Sequence, residues 1–345
     1  MKTTDQKTSL HIAVLGAGSV GCYVGGRLAA GGARVTFIGR ARYQKALAQR
    51  GLTLTHFSQD KVHIPSEDFS FVTDASGLEG VDVVLVCVKS QDSQSAGEKV
   101  AAHAPKGVLV VSLQNGVSNP SVLRAAAPDA HILGGVVPFN VTGAGEGAFH
   151  AGTEGDLMIE ASDDPRLAAL LAALHKGEQT ARAVDDMAAL QWGKLLVNLN
   201  NGMNTLYGGT LKSGFADRDY RMALRGMISE GLAALEREDI TPQGFTGVSP
   251  AKFLRVLRLP NWLFNIVMER MIKIDAAARS SMLDDLDAGR APEIDYLQGE
   301  VVRLAQKHGL TAPMNARMME AVNAAFAAGA SPRMSGKEIR AMLKA

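Results

Sequence analysis

HIAVLGAGSVG, residues 11–21, runs from an apolar stretch into three glycines. Ile12, Ala13, Val14 and Leu15 show no polar alternation, which predicts a strand covered on both faces, as in a parallel sheet. Gly16, Gly18 and Gly21 follow with G-x-G-x-x-G spacing, and Cys22–Ala30 is helix-compatible. In that strand–glycine–helix context Gly16 allows the tight turn and Gly18 lets a pyrophosphate approach the backbone. Gly21 lets the helix pack close to the strand. The backbone of Gly16, Ala17, Gly18, Ser19, Val20 and Gly21 is therefore the expected phosphate cradle, facing the free N–H groups of a helix N-terminus.

The rest of the chain fits around that turn. Its 345 residues suit two domains. Hydrophobic residues make up 46% and charged residues 21%, as in ordinary globular proteins. A formal charge of +1 gives no electrostatic footprint for nucleic acid or an anionic membrane. The two cysteines, Cys22 and Cys87, lack a C-x-x-C partner and read as small core residues in a reducing compartment. Residues 1–9 are polar, without the apolar core of a signal peptide, and no apolar run reaches the length of a spanning helix. The expectation is a cytoplasmic protein, monomeric or homodimeric, binding no metal.

Strand-like and helix-like segments alternate through the first half, with apolar runs at 33–40, 81–92, 107–116 and 131–137 and an irregular to strand-like stretch at 52–75. This alternation predicts an α/β fold with a doubly wound parallel sheet of Rossmann type. AFHAGTEGDLMIE (148–160) reads as an antiparallel pair, and a short helix is expected from Pro165 to Lys176. From about Asp186 the pattern is helical, with segments near 187–203, 217–238, 263–288 and 293–308. The expected division is a nucleotide-binding domain over 1–185 and an all-helical substrate domain over 186–345.

Ligands of open parallel sheets bind beyond the carboxyl ends of the strands. The second strand ends in Gly39-Arg40, where an NAD-selective site usually carries Asp or Glu. An arginine instead pairs with a 2′-phosphate, with Arg42 close by, so NADP is the expected cofactor. Lys89 follows VDVVLVCV, and Asn115-Gly116 follows VLVVSLQ. Alone, Lys89 reads equally as a surface charge and Asn-Gly as a turn pair; their shared position at strand ends argues against coincidence.

In LQWGKLLVNLNNGMNTLYG (190–208), Lys194, Asn198, Asn201 and Thr205 fall on one helical stripe, while apolar residues cover most of the remaining circumference. A helix apolar on most sides is buried, so its polar stripe needs a partner or a polar cavity. Farther on, Pro292 is placed to open a helix whose buried face is Ile294, Leu297, Val301 and Leu304. Glu293 and Asp295 near its start favour the helix dipole. For Asp295 that account suffices; for Glu293 a role in a site stays equally open.

Together, GAGSVG (16–21), Arg40, VCVKSQD around Lys89, SLQNG around Asn115, WGKLLVN (192–198), RSSMLDDL (279–286) and PEIDYLQG (292–299) resemble the ketopantoate reductase family over nearly the whole chain. The glycine motif is shared widely; W-x-K-L-x-x-N followed by E-I-D-Y-x-x-G is far more specific. The resemblance implies a nucleotide-binding domain joined to an all-helical one, with the site in the cleft between them, and reduction of 2-dehydropantoate to (R)-pantoate by NADPH on the way to pantothenate and coenzyme A. It implies that Lys194 is the general acid and Glu293 a catalytic-site carboxylate. It also implies that Asn198 and Ser281 bind substrate, that Asn115 lies near nicotinamide and substrate, and that Lys89 is a cleft lysine near the cofactor. Burial in such a cleft is expected to lower the lysine pKa.

The chain departs from the pattern at Gly202, where many members carry a second substrate asparagine; Asn201 stays on the Lys194 face and could substitute. That leaves room for a paralogue reducing another 2-oxo acid. A non-catalytic NADP-binding redox sensor is the reading from another class, and Lys194, Asn198 and Glu293 speak against it because a sensor needs no proton donor.

Overall fold

The computed structural model describes residues 9–56, 59–145, 147–244, 248–271 and 278–345. It divides into two compact units. One comprises the chain up to Gln114 together with Asn119–Met187; the other comprises Asn115–Ser118 and Ala188–Ala345.

The first unit is α/β. Its strands are β1 (His11–Leu15), β2 (Arg34–Ile38), β3 (Leu52–His56), β4 (Gln59–Ile64), β5 (Phe69–Val72), β6 (Val83–Val86), β7 (Leu109–Ser112), β8 (His131–Val136), β9 (Val141–Gly143), β10 (Ala148–Ala151), β11 (Leu157–Glu160) and β12 (Ala181–Val184). Its helices are α1 (Ser19–Ala30), α2 (Ala41–Arg50), α3 (Ser93–His103), α4 (Asn119–Ala126) and α5 (Pro165–Lys176). Eight strands form one sheet in the order β12-β11-β8-β7-β6-β1-β2-β5. Every neighbouring pair in it is parallel except β8 and β11. The unalternated strands are buried as expected: all of Val83–Val86 and Leu109–Ser112 are inaccessible.

AFHAGTEGDLMIE does not form the antiparallel pair its sequence suggests. β10 pairs with β9 and, in parallel, with β3 in a four-stranded sheet ordered β4-β3-β10-β9. β11 instead joins the large sheet between β8 and β12. Phe149 and Ala151 of β10 and Leu157 and Ile159 of β11 line one core from two sheets, and the intervening Gly152–Asp156 carries the chain from one sheet to the other.

The second unit is helical, with α6 (Met187–Asn198), whose first residue still counts with the sheet unit, α7 (Asn200–Tyr207), α8 (Leu211–Ala216), α9 (Arg218–Arg237), α10 (Pro250–Leu257), α11 (Asn261–Met271), α12 (Ser281–Asp287), α13 (Gln298–Lys307), α14 (Pro313–Ala328) and α15 (Gly336–Lys344). The long α9 is its axis, burying Tyr220, Leu224, Met227, Ile228 and Leu235 among the surrounding helices. Arg221, wholly buried, is saturated: it donates to the carbonyls of Phe215, Ala216, Leu257 and Leu259 and to Asn261 Oδ1, and its guanidinium lies over the Phe264 ring. A buried cation is tolerable only with such a full set of acceptors.

Three helical expectations change, the first being the segment expected near 187–203, which is two helices, α6 and α7, parted at Leu199. The segment expected over 263–288 is two helices, α11 and α12, and residues 272–277 lie outside the described residues. The helix expected to open at Pro292 begins later: a 3₁₀ turn, Ile294–Tyr296, comes first and α13 starts at Gln298.

Candidate active site

In the sheet unit, the residues singled out from sequence gather at the carboxyl ends of three adjacent parallel strands. Gly16 takes φ +107°, and a Cβ there would lie 2.6 Å from the Val88 nitrogen, so the turn after β1 excludes any side chain. A Cβ on Gly21 would fall 2.3 Å from the Gly16 carbonyl oxygen and 3.0 Å from Val14, which seats α1 against β1. At Gly18, the residue before α1, a Cβ would meet nothing within 4 Å. That open backbone, continuing into the first N–H groups at Ser19 and Val20, is a cradle suited to a phosphate. Ala17 closes it from below: its own N–H and that of Gly16 donate to the Ile38 carbonyl at the end of β2.

Arg40 follows β2 by two residues and is exposed, just ahead of α2; Arg42 lies over the Tyr43 ring. Lys89, half-buried, precedes a short 3₁₀ turn beyond β6.

In the helical unit, Lys194 stands on α6 and its ammonium donates to Asn115 Oδ1 at 2.8 Å. The two residues are 79 positions apart, joined because the short stretch Asn115–Ser118 belongs to this unit. Burial lowers the Lys194 pKa to about 8, against the opposing pull of the Glu293 carboxylate. Glu293 is only 8% exposed and directly precedes the Ile294–Tyr296 turn.

Asn198 and Asn201 are half-buried one and two turns beyond Lys194. The helical path between them is interrupted at Leu199, whose carbonyl receives the buried Gln298 amide at 2.8 Å. Thr205 does not extend the polar stripe: it is fully buried and its hydroxyl donates back to the Asn201 carbonyl at 3.0 Å. Ser281 is exposed at the start of α12. It sits beside the Asn201 turn because neighbouring Ser280 donates its N–H to Asn204 Oδ1 at 2.9 Å and its hydroxyl to the Asn201 carbonyl at 3.4 Å.

Gly202 has a packing reason. A Cβ there would lie 3.0 Å from Gln298 Nε2, 3.1 Å from Ile294 and 3.2 Å from Met318. The position faces the interior of the helical unit, so an asparagine here would need all three neighbours to give way.

Sequence reasoning missed Ser118 and Glu300, whose side chains meet at 2.5 Å, and the role of Gln298. Each partner lies about a hundred residues or more from the other, and no local motif announces the pairing. Among the described residues no group of three or more His, Cys, Asp or Glu could hold a metal ion, and no helix is long and apolar enough to cross a membrane.

An ammonium of lowered pKa, held by an amide oxygen and close to a carboxylate's field, is suited to giving a proton to an oxygen that gains negative charge. Comparison with known proteins places the chain in a family. Residues 12–164 match the family described as ketopantoate reductase PanE/ApbA, and residues 186–326 match its C-terminal part. A 2-dehydropantoate 2-reductase of Halobacterium salinarum is 27% identical over 319 residues, covering 88% of this chain and 95% of that protein. The crystal structure of a PanE/ApbA family ketopantoate reductase from Ralstonia eutropha is similar with a TM-score of 0.79 and 28% identity, over 93% of this chain and 99% of that one. The fold is also shared with D-mandelate dehydrogenase, solved with NADH and anilino(oxo)acetate: TM-score 0.76, 21% identity, over 93% of this chain and 99% of that one. The chain belongs to the ketopantoate reductase PanE/ApbA family and is an oxidoreductase.

Proposed function

We propose that this protein is a cytoplasmic 2-dehydropantoate 2-reductase that uses NADPH to form (R)-pantoate, a step toward pantothenate and coenzyme A. The sheet unit is the nucleotide-binding domain and the helical unit the substrate domain. The observation that carries the reading is the Lys194–Asn115 hydrogen bond of 2.8 Å, together with an ammonium brought down to about 8 by burial.

NADPH supplies the hydride. The open backbone at Gly18 and the helix N-terminus behind it receive the pyrophosphate, and Arg40 receives the 2′-phosphate; Lys89 adds a positive charge at the end of the neighbouring strand. Lys194 holds a proton on Nζ and delivers it to the ketone oxygen as negative charge builds there. Asn115 orients that ammonium, and the Glu293 carboxylate keeps it charged at neutral pH. Asn198, Asn201 and Ser281 offer hydrogen bonds to the substrate's carboxylate and hydroxyl.

A second reading has its own support. Gly202 faces the packed interior and leaves Asn201 as the second substrate amide, and the D-mandelate dehydrogenase likeness shows that this fold also serves another hydroxy acid. The distinguishing experiment is NADPH oxidation across ketopantoate, pyruvate, 2-oxobutyrate and an aryl 2-oxo acid. The highest kcat/KM is expected for ketopantoate; a higher value for any of the others assigns the chain to a paralogous 2-oxo acid reductase.

A further inference from the structure

The stretch that carries Asn115 is held at both its base and its tip. At the base, the flanking residues Gln114 and Asn119 are bridged by one hydroxyl: Gln114 Nε2 donates to Ser93 Oγ at 2.7 Å, and Ser93 Oγ donates to Asn119 Oδ1 at 2.7 Å. At the tip, Ser118 Oγ donates to Glu300 Oε1. Glu300 is only 7% exposed, and a carboxylate so enclosed must be compensated by partners. Its second partner is Arg303, three residues on along α13, with Nη2 3.0 Å from the same oxygen. That Nη2 also donates to the Asp295 carbonyl at 2.7 Å. Asp295 lies in the 3₁₀ turn that Glu293 opens, where the Tyr296 N–H donates to the Glu293 carbonyl at 3.0 Å.

A single bonded path, Ser118–Glu300–Arg303–Asp295, thus runs from the loop of Asn115 to the turn of Glu293, the two residues that act on the Lys194 ammonium. We propose that Glu300 is a positioning residue for the proton donor, fixing the Asn115 loop through Ser118 and the Glu293 turn through Arg303. The carboxylate acting directly on the Lys194 ammonium is that of Glu293; the influence of Glu300 passes through the two supports. The inference rests on Lys194 being the donor of the proposed reaction. Without Ser118 or Glu300, the Asn115 oxygen is no longer held against the ammonium, and burial then favours the neutral amine more strongly.

The test uses the full chain as Ser118→Ala, Glu300→Gln, both together, and Ser118→Thr. The Lys194 pKa is read without substrate, by competitive labelling of the amine across a pH series and mass spectrometry of the Lys194 peptide. In parallel, the alkaline limb of kcat/KM is read at saturating NADPH, and thermal stability is recorded. Ser118→Ala and Glu300→Gln are expected to lower the Lys194 pKa by roughly half to one unit, to move the alkaline limb with it, and to reduce kcat several-fold at unchanged NADPH affinity. The double variant is expected to go no further than the larger single effect, because both changes cut the same path. Ser118→Thr, which keeps the hydroxyl, is expected to restore the original profile. If Lys194 titrates unchanged in Ser118→Ala and in Glu300→Gln, or in Ser118→Ala alone should Glu300→Gln fail to fold, while only thermal stability falls, Glu300 is a structural residue and the proposal is overturned. Full turnover in Lys194→Ala would instead remove the donor assignment itself, an outcome the labelling arm keeps separate.

Discussion

The glycine turn of the sheet unit and the lysine site of the helical unit are built in opposite ways. Between Gly16 and Gly21 the chemistry is backbone: Gly16 and Gly21 stand where an added Cβ would come within 2.3–2.6 Å of neighbouring backbone atoms, and six consecutive residues contain the whole device. Around Lys194 the chemistry is side chain, drawn from Asn115, Lys194 and Glu293, with support from Ser118 and Glu300. A local backbone device tolerates drift elsewhere in the chain. A dispersed side-chain device depends on several helices keeping their packing.

The comparison breaks most sharply at Lys194. Lys194→Ala is expected to reduce kcat by about 10²–10⁴-fold, the usual cost of removing a general acid. NADPH affinity, read by fluorescence titration, should stay nearly intact. A loss of turnover under tenfold would make Lys194 a structural cation. Next comes Arg40→Ala, where the loss should appear in the opposite place: roughly 1.5–3 kcal/mol of the preference for NADPH over NADH, the worth of a charged hydrogen bond, with kcat for the better cofactor little changed. Equal use of both cofactors by the unmodified protein would remove the basis of that prediction.

The glycines sharpen the contrast within one motif. Gly21→Ala sets a methyl group against the Gly16 carbonyl and is expected to cost about 1–3 kcal/mol of stability, as overpacking does, measured by urea denaturation. Gly18→Ala meets open space, so the same measurement should barely move while NADPH binds more weakly. Equal destabilisation by both would mean that the turn does not hold the shape described. The smallest effect is electrostatic. Reduction needs the charged amine, so kcat/KM should fall as pH rises through about 8, where Lys194 loses its proton. Because the Glu293 carboxylate raises that pKa, Glu293→Gln should shift the fall to lower pH. A shift to higher pH would contradict the sign of the interaction.

What could be read in advance follows the same divide. The β1 strand, the glycine turn, α1 and the parallel neighbours β2, β6 and β7 were visible because each is announced by contiguous residues. Lys194, Asn198 and Asn201 were visible as polar residues on an otherwise apolar helix. The pairing of β10 was not, because its parallel partner β3 lies about a hundred residues earlier and nothing local distinguishes it from β11. The delayed start of α13 was hidden for a different reason: Pro292 and two acidic residues satisfy the rules for a helix start, and the chain spends them on a 3₁₀ turn. Gly202 read as a missing ligand and proves to be a contact point for Gln298, Ile294 and Met318.

That four residues of the sheet half's sequence, Asn115–Ser118, count with the helices has a practical consequence for recombination. A fragment cut at Met187 and expressed as the helical half would carry Lys194, Glu293 and Glu300 but neither Asn115 nor Ser118. Chimaeras that exchange helical halves between relatives therefore inherit a mismatched seam unless the 115–118 segment travels with them. The smallest exchangeable module is discontinuous in the gene, and crossover points chosen from linear boundaries alone would separate a donor from its support.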